Sequence, residues 1–103
     1  MGAIMRLYIE GAQALDPVTA LLEDFEVSKG RITIICYGEV WTSFWGGMGG
    51  QSVALFFMDA NREYLVDRLL NGQRSTKAKK VYLFRIVDAV KAGLAVAAER
   101  AAG

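Results

Sequence analysis

The side chains of this chain that could move a proton or attack a bond are few. Glu39, Asp59 and Glu63 are the carboxylates nearest the aromatic centre of the sequence, and Cys36 is the single thiol. Two carboxylates converging in one cleft can serve as general acid and base, but Asp59 and Glu63 stand one helical turn apart, the spacing of a solvated helix face. Cys36 follows Ile32 and Ile34 in strand alternation, which makes it a core thiol. The chain contains no histidine. That removes histidine-based triads, imidazole general bases and the usual zinc clusters. The expectation is a protein that is not an enzyme and carries no cofactor and no metal.

Chemistry of binding is better represented. Val40 to Gly50, VWTSFWGGMGG, holds both tryptophans and four of the eleven glycines. Trp41, Phe44 and Trp45, with Tyr37 nearby, can stack on bases or anchor a partner; they can equally fill a core. Gly46, Gly47 and Met48 open a glycine-rich loop ahead of a helix start, where backbone amides can cradle a phosphate. The loop lacks the lysine and the hydroxyl residue of GxxxxGK[ST] and is no GxGxxG in a βαβ unit. The simpler reading is a sharp connection in which glycine supplies positive φ or close packing. Arg74, Lys77, Lys79 and Lys80 gather where the last helix begins and form a candidate anion site. Cations there oppose the helix dipole by about 0.3 to 1 kcal/mol each, which a bound anion or neighbouring acids would offset.

At 103 residues the chain is one domain, spanning residues 1–103, with enough length for a core that needs no metal or disulfide. Its 53% hydrophobic content and mean hydropathy of +0.25 are high for so small a domain. Some of that apolar surface is expected in an interface, making the protein a homodimer or higher oligomer. Residues 1–67 carry nine acids against four bases, whereas residues 68–103 carry eight bases against two acids. The basic part invites an anionic partner, or it is neutralised by the acidic part on folding. No apolar run is long enough to span a bilayer, and the first residues lack the apolar core of a signal peptide. With one cysteine there is no disulfide framework, which places the protein in a cytoplasm.

These groups need elements to hold them. Ile4 to Glu10 alternates as a half-buried strand. Asp16-Pro17 resembles a helix start, and Val18, Leu21, Leu22 and Phe25 fall at helical spacing, which predicts a short helix to about Phe25. Arg31 to Tyr37 is dense in β-branched residues and predicts a strand. A reversal at Tyr37-Gly38 returns the chain through Glu39 to Trp45, pairing Ile35 with Val40, Ile34 with Trp41 and Thr33 with Thr42. Both faces of this hairpin carry apolar residues and call for cover. One helix is expected from about Val53 to Leu70, with two apolar stripes, stopped by Asn71-Gly72. A final amphipathic helix runs from about Lys77 to Ala102 and frays from about residue 99. The expected fold class is α+β, β-α-β-β-α-α, with a small three-stranded sheet packed against two C-terminal helices.

Residues 16–70 resemble small proteins of tailed phages and prophages, most tellingly in Gly30 to Tyr37 and in WTSFWGGMG, Trp41 to Gly49. The resemblance implies an accessory protein of a mobile element that acts by stoichiometric binding to a host or phage macromolecule, in defence evasion or regulation. Its expected partner is a host or phage protein, met through Trp41, Phe44, Trp45, Gly46, Gly47 and Met48. The alternative is nucleic acid or nucleotide, held by Arg74, Lys77, Lys79 and Lys80 with a tryptophan for stacking.

Overall fold

The structure is a computed structural model and describes residues 3–12 and 15–102. Four strands, β1 (Ala3–Ile9), β2 (Val18–Glu26), β3 (Lys29–Cys36) and β4 (Glu39–Trp45), form one antiparallel sheet in chain order. Helices α1 (Val53–Asp59), α2 (Arg62–Leu70) and α3 (Lys77–Ala102) follow. All three pack on one face of the sheet, so the described residues form two layers and leave the other sheet face open.

The expected β-α-β-β-α-α order and three-stranded sheet are therefore corrected. Residues 18–26 are a central strand, paired with β1 on one side and β3 on the other. Val18, Ala20 and Leu22 are fully buried beneath the helices, while Thr19, Leu21 and Glu23 face the open side. The nine residues satisfy both periodicities, and pairing with two neighbours outweighs the helical propensity of Leu and Glu. Pro17 stands just before the ladder, where its missing amide costs no strand hydrogen bond.

The β3–β4 hairpin has the expected register, Ile35 opposite Val40, Ile34 opposite Trp41 and Thr33 opposite Thr42. Tyr37 and Gly38 both have positive φ, at 50° and 77°. This is the conformation of the two-residue turns whose twist matches that of paired strands. Only one hairpin face is covered, however. Ile32, Ile34, Cys36 and Trp41 point into the core, and Val40 and Phe44 point out.

The helix expected from Val53 to Leu70 is two helices. Ala60 and Asn61 are extended, with ψ of 148° and 136°. The Asn61 side chain accepts from the amides of Glu63 and Tyr64 to cap α2, and Lys91 Nζ donates to the freed Ala60 carbonyl. The two apolar stripes belong to two short helices, with Val53 and Phe57 buried from α1 and Leu65, Val66, Leu69 and Leu70 from α2. Asn71 ends α2 in the left-handed conformation, returning its amide to Asp67 and Arg68 carbonyls, as expected for an Asn-Gly stop. The stripe of α3 buries Leu83, Ile86, Val87, Val90 and Leu94.

Gly30 lets these layers meet. A Cβ at this position would overlap the Val53 side chain and stand 2.6 Å from the Glu23 carbonyl oxygen. The first residue of α1 thus rests directly on the β3 backbone.

Candidate binding surface

Both tryptophans face the core. Trp41 and Trp45 are 8% and 5% exposed. Trp45 Nε1 donates to the Tyr64 hydroxyl at 2.9 Å, and its ring lies 5.2 Å from that of Phe56. Trp41 meets Tyr82 edge-on at 6.1 Å. Ser43, between them, is buried and accepts from Arg68 Nε at 3.3 Å, while Arg68 Nη2 donates to the Phe44 carbonyl at 2.6 Å. Arg68 thereby ties α2 to the outer edge of β4. Of the aromatic trio only Phe44 reaches solvent, at 51% exposure.

The glycine loop is bound to its own chain. The Met48 amide donates to the Ser28 carbonyl at 3.0 Å, and the Gly50 amide to Ser28 Oγ at 2.5 Å. Asp24 Oδ1 accepts from the Val53 amide at 2.8 Å, so an acid of the chain occupies the helix start where an anion would sit. Ser52 accepts from the Leu55 amide as the cap of α1. Met48 is buried; Gly46 and Gly47 are exposed, with the Phe44 ring lying beside Gly46.

The basic cluster is divided. Lys79 is paired with Glu39 at 2.7 Å and lies over the rings of Trp41 and Tyr82 at 6.0 and 5.9 Å. Arg74, Lys77 and Lys80 are exposed, and no described carboxylate pairs with them. The Lys79–Glu39 and Arg62–Asp88 pairs each join the acid-rich and base-rich parts of the chain.

The chemistry-bearing side chains are separated as well. Glu39 pairs with Lys79, while Asp59 accepts from Gln51 Nε2 at 2.9 Å. Among the described residues no three His, Cys, Asp or Glu side chains could together hold a metal ion. Cys36 is buried, donates to the Asp16 carbonyl at 3.6 Å and accepts from the Tyr82 hydroxyl at 3.2 Å. That bond to Cys36, and burial after it, push the Tyr82 phenol above the usual tyrosine range.

The open sheet face is left uncovered by the three helices. Three rows cross it from β1 to β4: Ile4, Glu23, Arg31 and Phe44; Arg6, Leu21, Thr33 and Thr42; Tyr8, Thr19, Ile35 and Val40. Phe25 stacks on Phe44 at 6.3 Å, and Arg31 lies 5.3 Å over Phe25 while pairing with Glu23 at 2.8 Å. Arg6 lies 5.5 Å over Tyr8. Exposed Ile4, Tyr8, Phe25, Val40 and Phe44 all belong to this face. The helix expected from Asp16-Pro17 to about Phe25 would leave the middle of this face without a strand. The alternation Thr19, Leu21, Glu23 was the signal that could have revealed it.

No helix among the described residues is long and apolar enough to cross a membrane. No curated protein and no solved structure matches the chain. A family model described as a phage family, Phage_phiTE_072, matches residues 3–92. It spans all four strands, α1, α2 and α3 as far as residue 92, and the chain belongs to this family of phage proteins.

Proposed function

We propose that this phage protein is a non-enzymatic accessory protein that acts in the host cytoplasm by stoichiometric binding to a host or phage protein, in regulation or defence evasion. The observation that carries the reading is the open sheet face, where exposed Phe44 stacks on exposed Phe25 with Val40 on the same strand as Phe44, and Tyr8 and Ile4 are exposed across the face on β1. Apolar groups gathered on one face rather than scattered are the mark of an interaction surface. Phe44, with Gly46 and Gly47 beside it, is the contact; Trp41, Trp45 and Met48 support it from beneath. The test is capture from host lysate with the wild-type chain and Phe44→Glu, with and without nuclease. A protein retained in fixed proportion by the wild type, indifferent to nuclease and lost with Phe44→Glu, supports the reading. Equal retention by both chains contradicts it.

A second reading, single-stranded nucleic acid, is favoured by one observation: Arg6 and Arg31 each lie over an exposed aromatic ring of the open face. Aromatic rings with arginines on a sheet suit base stacking and phosphate pairing, and Arg74, Lys77, Lys79 and Lys80 would add a separate anion patch. Retention abolished by nuclease, or by raised salt, selects it over the first.

A further inference from the structure

The two edges of the sheet differ. The β4 edge is held by α2 through Arg68, which donates to the Phe44 carbonyl. Among the described residues the β1 edge pairs only with β2. Its sequence, AIMRLYI, has one charge, no proline and no bulge, so it lacks the devices that normally guard an exposed edge. Its inward residues Met5, Leu7 and Ile9 are only half-buried, although their row-mates on β2, Leu22, Ala20 and Val18, are fully buried.

Above this edge α3 continues outward. It begins near β4 and β3, where Lys79 meets Glu39 and Tyr82 meets Cys36, and reaches β1 at Gly93, against Leu7 and Ile9. At ~1.5 Å per residue the segment from Gly93 to Ala102 runs roughly 14 Å along the helix axis past that crossing. Because Tyr82 lies at β3 and Gly93 at β1, the helix crosses obliquely and its sideways reach is about 8 Å, between one and two of the ~4.8 Å strand spacings. Its underside includes Val96, 47% exposed, and Ala97. Between them and β1 lies a groove of about 450 Å³. Arg100 and Glu10 also line this groove, so a strand added in the room beneath the overhanging helix would meet Val96 and Ala97 with one charge of each sign beside them.

We infer that a second copy of this chain fills that room, the two β1 strands pairing antiparallel about a two-fold axis at Leu7 to make a continuous eight-stranded sheet. Each α3 then covers the partner's β1. This goes beyond the proposed contact at Phe44, which lies on the opposite edge of the sheet.

The register follows from charge and from the helix. An axis at Arg6 would set the two Arg6 side chains opposite each other, and like charges directly opposite are destabilising. An axis at Tyr8 would bring both α3 helices over the same point, because Gly93 sits between Leu7 and Ile9. An axis at Leu7 sets the crossings about 7 Å apart along the strands, close to the ~8 to 10 Å of packed helices, with Gly93 and Ala97 permitting the nearer approach. It also opposes Leu7 to Leu7, Met5 to Ile9 and Arg6 to Tyr8, the last repeating between chains the cation–π contact seen within one.

Equilibrium sedimentation at high micromolar concentration reads the stoichiometry, and cysteine pairing reads the register. Arg6 and Tyr8 are exposed and the native Cys36 is buried, so Arg6→Cys and Tyr8→Cys test geometry without disturbing the core. The wild type is expected at twice the 11.3 kDa chain mass. A mixture of the two cysteine variants gives a disulfide-linked pair on oxidation, whereas either alone does not. Val96→Glu gives a folded monomer by circular dichroism. A monomeric wild type, a dimer indifferent to Val96→Glu, or cross-linking of either variant with itself in place of the mixed pair would overturn the inference.

Discussion

The Trp45 indole donates to the Tyr64 hydroxyl at 2.9 Å, and this bond joins the last residue of the sheet to the second helix. Tyr64→Phe leaves the buried indole N–H without that acceptor and should cost about 1 kcal/mol, read as a lower denaturation midpoint with the slope unchanged. Replacing either tryptophan with alanine empties core volume and should cost about 3 to 5 kcal/mol. The double replacement then consumes most of the ~5 to 15 kcal/mol that holds a domain folded. Lost binding in that variant would report unfolding. Phe44→Glu, at an exposed position, separates contact from stability.

Gly30 is fixed by the close approach of α1. Gly30→Ala sets a methyl group against the Val53 side chain and 2.6 Å from the Glu23 carbonyl oxygen, and should cost about 1 to 3 kcal/mol. Val53→Ala in the same chain should recover only part of the loss, since the backbone overlap persists. Urea denaturation of the four chains of this cycle measures the recovery.

The sequence exposed the elements whose signals are local and withheld those set by tertiary contacts. The β-branched run of residues 31–37 and the Tyr37-Gly38 reversal carry the β3–β4 register by themselves. Asn71-Gly72 carries the end of α2, and the apolar spacing of residues 83–94 carries α3. Residues 18–26 fit both a helix and a strand, and two neighbouring strands distant in sequence decide between them. Asn61 is a cap residue that the continuous apolar pattern of residues 53–70 conceals. For the surface, tryptophan content singles out β4 and strand parity decides exposure: Trp41 and Trp45 point inward and Phe44 outward.

Arg68 closes the β4 edge through the Phe44 carbonyl and Ser43 Oγ while lying 5.6 Å over the Trp45 ring. Arg68→Ala should cost about 1.5 to 3 kcal/mol, the range for hydrogen bonds to a charged group, reduced where solvent screens it. Lysine should not restore the loss, because one ammonium cannot reproduce the fork that serves both oxygens. Hydrogen exchange at β4 amides should accelerate in both variants, more than at β2 amides.

Tyr82 is held protonated by its bond to Cys36 and by burial. Its folded-state pKa lies above that of the unfolded chain, so its contribution to stability is complete below the ordinary tyrosine value of about 10 and is lost as pH rises through the higher folded value. Phenolate absorbance followed by base titration should show a late step that Tyr82→Phe removes. The variant's stability should also fall less steeply than that of the wild type across the same alkaline range.

The most direct test of the open face as the binding surface is hydroxyl-radical footprinting of the chain alone and in complex with its captured partner. Oxidation of Phe44, Phe25 and Tyr8 should drop on complex formation, with Trp41 and Trp45 little modified in either state because both are buried. Unchanged oxidation of Phe44 and Phe25, with protection confined to α2 and α3, would contradict the account.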